Sequence, residues 1–311
     1  MENVVGCDIS KGWIDVECVG PAQQRRLRLD NKVQPIDRFA RELPAGSLVG
    51  MEATGEMHEL LARRLIKHGH TVFVVNPRWI HQYAKGIGIR GKTDRSDAAL
   101  IARFIAAESA SLRPYQSPGR EQQELRKLLL RRCTVVKLKT ATRQSLGAQG
   151  RGLVEQFNRL LLRIERRIVA IIKRVPEWQA LGQRLRSEPG VGPIVAAHLV
   201  QVLTRFRFHS ADAFVAHTGL DPRPNDSGQK QGRRWLTHHG DATLRTMLFM
   251  AAMSACKRPE WRAIYEANLR KGLPSTAALV VVARKLARVA FSLFRSGESY
   301  DPGRIGSALN A

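Results

Sequence analysis

Val4-Val5-Gly6-Cys7-Asp8-Ile9-Ser10 sets a carboxylate near the end of an apolar run, directly before a polar turn and a second, alternating run at Trp13 to Val19. Short apolar runs bounded by turn residues read as strands. A carboxylate inside one is costly unless it coordinates something or faces a cleft at the strand end. Leu48-Val49-Gly50-Met51-Glu52-Ala53-Thr54-Gly55 repeats the arrangement, and a helical pattern follows at Met57 to His68. Ser47 to Met51 and Thr71 to Val75 complete a set of four strands, so the first part of the chain reads as α/β. Lys92-Thr93-Asp94-Arg95-Ser96-Asp97-Ala98-Ala99 then sets Asp94 and Asp97 three apart, with a helix expected from Asp97 to about Ala107. That spacing lets both acids project from one helix face. Two strand-end acids and two helix-start acids can converge on one cleft, and such hard oxygen ligands suit Mg²⁺. Two such ions about 3.5–4 Å apart would stabilise the attacking and leaving oxygens of phosphodiester chemistry. Asp97 also suits a helix N-cap or a first-turn carboxylate favoured by the helix dipole, with Asp94 its solvated neighbour. Asp15, Glu17, Glu56 and Glu59 read as surface acids.

Outward from this stretch, the 311 residues carry 51 Lys+Arg against 27 Asp+Glu, a net charge of +24. Such a balance argues against an ordinary small-molecule enzyme and calls for a polyanionic partner. Nucleic acid leads, because neutralising phosphates releases counterions; an anionic membrane surface is the weaker alternative. Residues 1–110 are nearly neutral at +3, whereas residues 111–311 carry +21. Three regions are expected: an α/β domain at 1–110, a basic helical region at 111–178 that begins in the Pro- and Ser-rich stretch after Ser111, and a mainly helical domain at 179–311. In the middle region Val154, Phe157, Leu161, Ile164, Ile168, Ile171 and Val175 recur at alternating spacings of three and four, a heptad seam. It fits a coiled coil, either as a helical hairpin or as an antiparallel pairing with a partner chain, and equally a plain buried helix face. Gly147, Gly150 and Gly152 interrupt the helix upstream and Pro176 ends it. Pro189-Gly190-Val191-Gly192-Pro193 has the form of a helix-hairpin-helix turn, in which Gly190 and Gly192 free backbone amides and a helix N-terminus for a phosphate. A glycine-rich turn between two packed helices is the alternative. The helix around Met247 to Cys256 is apolar enough that its methionines read as core. Ala277 to Phe294 is the longest apolar stretch and is broken by Arg284, Lys285 and Arg288, so no membrane span is expected. The first residues have no basic n-region and no signal-peptide core, and four scattered cysteines lack a Cys-x-x-Cys. A cytoplasmic protein with reduced thiols is therefore expected.

The succession of strand-end Asp8, strand-end Glu52 with Ala-Thr-Gly, Asn76-Pro77 after the next strand, and Lys-Thr-Asp-x-x-Asp-Ala resembles the RuvC-like, RNase H-type DEDD domain of the IS110 family of insertion-sequence transposases, related to the Piv DNA invertases. The resemblance continues through Gly190-Val-Gly-Pro, Phe214-Val-Ala-His-Thr-Gly-Leu-Asp-Pro-Arg-Pro-Asn-Asp-Ser-Gly and Gly232-Arg-Arg-Trp-Leu-Thr-His-His-Gly-Asp-Ala-Thr-Leu-Arg, which are similar to that family's C-terminal domain. It implies metal-binding roles for Asp8, Glu52, Asp94 and Asp97 and a nucleophile role for Ser227, which by residue type alone is an ordinary loop serine. Some relatives place the serine one position earlier, where this chain has Asp226, and His238-His239 stands where relatives often carry Lys or Arg. Lys230, Arg233, Arg234 and Arg245 form a basic cluster along the same stretch, suited to gripping phosphates or to a solvated surface. Trp235 reads as a core anchor. Beyond the residues, the resemblance implies a transposase that excises and inserts its own element, dimers that assemble into a tetramer on DNA, and guidance by a structured bridge RNA. Fifteen basic and four acidic residues between Arg120 and Arg174 leave ample surface for phosphates. Two rivals stand beside this reading: a hydrolytic junction nuclease that uses the acids without the serine, and a non-catalytic nucleic-acid-binding protein.

Overall fold

The computed structural model describes residues 3–20, 24–53, 57–89, 94–223, 226–227, 230–231, 235–237 and 240–303. The chain forms two compact units, Met1–Ser117 and Pro118–Ala311.

In the first unit the strands β1 (Val4–Ile9), β2 (Trp13–Val19) and β3 (Gln24–Asp30) are followed by helix α1 (Val33–Glu42), β4 (Leu48–Glu52), α2 (His58–Lys67), β5 (Thr71–Val75), α3 (Pro77–Gly86) and α4 (Asp94–Glu108). They build one mixed sheet in the order β3-β2-β1-β4-β5. β1, β2 and β3 pair antiparallel, whereas β1, β4 and β5 run parallel. Strand alternation sends successive side chains to opposite faces. Val5, Cys7, Ile9, Val49 and Met51 meet Ile36 and Phe39 of α1 and Leu61 and Leu65 of α2 on one face. Val4, Phe73 and Val75 meet Ile80 of α3 and Ile101, Phe104 and Ile105 of α4 on the other. The result is a three-layer α/β unit. Two glycines fix how closely α4 lies on the sheet. A Cβ on Gly6 would stand 2.0 Å from the Ala98 carbonyl oxygen, and one on Gly50 would stand 2.2 Å from Ile105 Cγ1.

The second unit is mainly helical: α5 (Arg120–Leu146), α6 (Arg151–Arg174), α7 (Pro176–Ser187), α8 (Pro193–Arg205), α9 (Ala211–Thr218), then four two-residue strands, then α10 (Ala242–Ala255), α11 (Pro259–Arg270) and α12 (Ser275–Ser296). α5 and α6 form a hairpin within the chain. Leu161, Ile164, Ile168 and Ile171 of the heptad seam are buried in the same core as Leu125, Leu128 and Leu129 of α5. Arg132 Nε to Glu165 Oε1 at 2.7 Å, Lys139 Nζ to Asn158 Oδ1 at 3.2 Å and Arg167 Nη2 to Glu124 Oε1 at 3.1 Å tie the antiparallel pair along its length. No helix of the described residues is long and apolar enough to cross a membrane.

The structure corrects several expectations. β3, α1 and α3 lie where no element was expected, because Arg-rich β3 hides its alternation and α1 and α3 are short and polar outside one stripe. α4 starts at Asp94 rather than at Asp97. Gly152 does not interrupt a helix: α5 stops at Leu146, a 3-10 turn covers Gly147–Gly150, and Gly152 lies inside α6. Met250 and Met253 are 53% and 48% exposed, so the apolar α10 buries its alanines and leucines instead. Glu17 is not a surface acid. It is 1% exposed, accepts from Gln24 Nε2 at 2.6 Å, and pairs with Arg26.

Candidate functional site

The acids at the strand ends are brought together by register. Cys7 is the partner of Met51 in the parallel β1–β4 pair, so Asp8 and Glu52, one residue further along, stand side by side at the carboxyl end of the sheet. Gly6 and Gly50 face α4, and two residues on along each strand Asp8 and Glu52 face the same way. Both are half-buried and both have interactions within the fold. The first turn of α4 lies over this face, with the Ala98 carbonyl above Gly6, so Asp97 stands at the same end of the sheet. Asp94 begins the helix, and its side chain lies outside the described residues. Among the described residues no group of three or more His, Cys, Asp or Glu could hold a metal ion. The donor set itself fits a hard divalent cation: adjacent carboxylates on one face, with no soft ligand directed to it, since the Cys7 thiol points to the opposite face and burial pushes its pKa up.

Asp15 lies directly opposite Asp8 on β2, and Arg28 of β3 grips it with two bonds, Nε to Oδ1 at 2.7 Å and Nη2 to Oδ2 at 2.8 Å. Its carboxylate is thereby engaged beside the acid pair. On the other side Val75 pairs with Glu52, and Asn76 follows it. The Asn76 side chain accepts from the Arg78 amide at 3.0 Å and caps α3, whose Pro77 occupies the first helical turn.

In the second unit the segment bearing Ser227 is an arm that leaves and returns at one place. β6 (Pro222–Arg223) pairs with β9 (Trp235–Leu236), and inside it β7 (Asp226–Ser227) pairs with β8 (Lys230–Gln231), Ser227 opposite Lys230. Ser227 is thus part of a short strand pair where a loop was expected. The side chains of Ser227, Lys230 and Trp235 lie outside the described ones, and Arg233, Arg234, His238 and His239 lie outside the described residues, as does Glu56.

The arm's root is held by hydrogen bonds from both sides. The Thr237 amide donates to the Asp221 carbonyl at 3.1 Å and the Thr237 hydroxyl to Asp221 Oδ1 at 2.6 Å. Asp241 accepts at Oδ1 from the Thr243 and Leu244 amides at 2.8 and 2.9 Å, capping α10, while its own amide donates to His217 O at 3.0 Å. A Cβ on Gly240 would meet His217 O at 2.2 Å, so only glycine lets the returning chain pass α9 this closely. Arg245, expected to grip phosphate, donates from Nη1 to the Thr218 carbonyl at 3.1 Å and so holds the end of α9. Burial lowers the His217 pKa against the pull of Asp241. Sequence reading missed Asp221, Thr237 and Gly240; Asp241 before Ala-Thr-Leu carried an N-cap signal.

The glycine turn connects α7 to α8. Gly190 has φ +84° and its Cβ would meet Ala251 O at 2.2 Å, so it serves the seating of the turn on α10, whereas Gly192 caps α8 in open space.

Two family models match the chain: one described as Transposase, for a DEDD domain, over residues 5–151, and one described as Transposase IS116/IS110/IS902 family over residues 182–266. The chain is 30% identical to a pilin gene-inverting protein of Moraxella lacunata, over 81% of each chain. It is 28% identical to a probable family 20 transposase of Pseudomonas aeruginosa, over 96% of this chain and 98% of the relative. With the transposase for insertion sequence element IS1111A of Coxiella burnetii it shares 26% identity, over 84% of this chain and 81% of that one.

Proposed function

The chain belongs to the IS116/IS110/IS902 family of transposases, and from that premise we propose that it is a recombinase that cuts and rejoins DNA to excise and insert its own element. The observation that carries this reading is the register that sets Asp8 beside Glu52 at the carboxyl end of the sheet, under the first turn of the helix that bears Asp94 and Asp97. Three antiparallel strands continued by two parallel ones support an RNase H-like, RuvC-like fold for residues 1–110. Residues 111–178 serve as a coiled-coil connector and residues 179–311 as the serine-bearing transposase domain.

Asp8, Glu52, Asp94 and Asp97 are the residues that would hold Mg²⁺, which would supply charge neutralisation at the phosphate and help polarise an attacking oxygen. Ser227 Oγ attacks the phosphorus, the bridging deoxyribose oxygen leaves with a proton, and a phosphoserine link conserves the bond energy until a second deoxyribose hydroxyl reverses the step. Lys230, Arg233, Arg234 and the amides around Gly190 and Gly192 hold the flanking phosphates. Arg245 acts with them through the arm's root. Dimers assemble to a tetramer on DNA, the acids of one protomer completing the site with the serine of another. A structured guide RNA on the basic helices supplies sequence readout by pairing. The protein works in the cytoplasm.

The test is a denaturing gel of full-length protein with Mg²⁺, the element's RNA and labelled junction DNA. A protein-linked DNA band lost in both Ser227→Ala and Asp8→Ala is expected. Free cleaved DNA that survives Ser227→Ala would instead mark a hydrolytic nuclease.

A further inference from the structure

Of the five tryptophans in the sequence, Trp178 and Trp261 are 9% and 0% exposed, whereas Trp13 and Trp79 are 46% and 51% exposed. Tryptophan is the costliest side chain to leave in water, so two exposed ones in one unit need a reason. Both stand at the carboxyl end of the sheet, Trp13 on the face of the acids and Trp79 in the helix that follows β5. Trp13 opens β2, where its carbonyl accepts from the Ser10 amide at 2.9 Å, two residues past Asp8. Strand alternation sets it on the face of Asp15 and Glu17, away from the buried Ile14 and Val16. Trp79 lies in the first turn of α3, which starts as β5 ends and packs on the α4 side through Ile80 and Tyr83.

Across this end of the sheet the order is therefore Trp13, Asp8, Glu52, Trp79. From β2 to β5 there are three interstrand spacings, about 14 Å, so a strand lying across this end passes both tryptophans and the acids between them. Trp13 is also held in place. The Arg28 guanidinium lies 5.2 Å from its ring centroid and is itself fixed by the two bonds to Asp15. Next to Asp15 lies a cleft of about 470 Å³, lined by Glu17, Arg26, Arg28 and Ala98. An aromatic face fixed by a cation and turned to solvent is a stacking platform for a base of any sequence.

The geometry points to a pair of base platforms, Trp13 and Trp79, which bracket the acid pair and hold unstacked bases of a DNA strand on either side of the phosphate being cut. They act as positioning residues for the reaction. This rests on the acid pair being where the DNA phosphodiester lies.

Because stacking is tolerant of sequence, the probe is a twelve-residue oligothymidylate carrying 5-iodouracil. It is photo-crosslinked to the full-length chain, and the adducts are mapped by mass spectrometry. Adducts on the peptides containing Trp13 and Trp79 are expected. Loss of one platform by Trp13→Ala should lower the adduct at Trp79 roughly tenfold, and Trp13→Tyr should restore it. In junction cleavage Trp13→Ala and Trp79→Ala should each raise KM by about tenfold or more with kcat little changed. Wild-type adducts confined to other peptides, or a KM unmoved in both alanine variants, overturns the proposal. Asp8→Asn separates the two readings. Abolished cleavage with both adducts retained supports both; undiminished recombination in Asp8→Asn refutes the acid site, and with it the platforms' role in cutting.

Discussion

Two buried titratable residues in the second unit make its stability depend on pH in opposite directions. His198 on α8 is 5% exposed, and burial, reinforced by Arg132 and opposed by Asp241, pushes its pKa down to about 4. The folded state therefore favours the neutral ring. Its contribution is fully present above the unfolded value of about 6.5 and is lost as pH falls toward 4, up to about 3 kcal/mol. His198→Gln should flatten the fall in Tm between pH 7 and pH 4.5; an unchanged slope in thermal melts would refute the assignment. Glu188, at the start of the glycine turn, is the converse. Both its oxygens are buried without a hydrogen-bond partner, and burial raises its pKa well above the usual carboxylate range. Its neutral form is favoured in the fold, so its contribution is complete below about pH 4.5 and declines as pH rises through the folded value. Relative to the wild type, Glu188→Gln should gain in Tm at pH 8.5 more than at pH 5, as read by calorimetry.

At the scale of elements, the contact between α4 and the sheet decides where Asp97 stands. Gly6 and Gly50 let the helix backbone lie directly on β1 and β4. Gly6→Ala drives a methyl into the Ala98 carbonyl, a backbone clash that cannot relax by a rotamer change. It should cost more than the 1–3 kcal/mol typical of overpacking and abolish recombination; a chemical denaturation midpoint equal to wild type would show that the helix stands off the sheet. This unit also shows how far the sequence was legible. β1, β4 and β5 are apolar runs between turn residues, and the acids Asp8 and Glu52 towards the ends of β1 and β4 stood out because charge interrupts the runs. β3 did not, because Arg26 and Arg28 answer Glu17 and Asp15 across the strand pair and so turn an inward-looking pattern into an apparently solvated one. The same pairing is why Glu17 looked like a surface acid. In the second unit the hairpin was readable from the seam on α6, but the arm was not: its strands are two residues long, too short for any alternation, and its closure depends on hydrogen bonds between residues sixteen apart in sequence.

Over the whole molecule charge divides as the units do. Residues 118–311 carry 34 basic and 14 acidic side chains, against 17 and 13 in residues 1–117. Counterion release then makes duplex binding strongly dependent on salt, with a loss of about 10³-fold or more between 50 and 200 mM if six or more phosphates are contacted. Charge reversals at Arg163 and Arg166 on α6 should reduce the salt slope of full-length protein, whereas a reversal at Arg41 on α1 should leave it unchanged; equal effects would mean that the first unit shares the electrostatic load. The arm has its own consequence at this scale. Seen from the helical scaffold it is a branch and not a link, since Asp221 and Thr237 are already hydrogen-bonded neighbours where it departs. A graft should therefore be possible: replacing residues 222–236 by an Asn-Gly turn should keep Tm within about 3 °C while removing the serine. With its two ends already bonded to each other, the segment between them can be exchanged as a cassette while α9 and α10 on either side of it stay as they are.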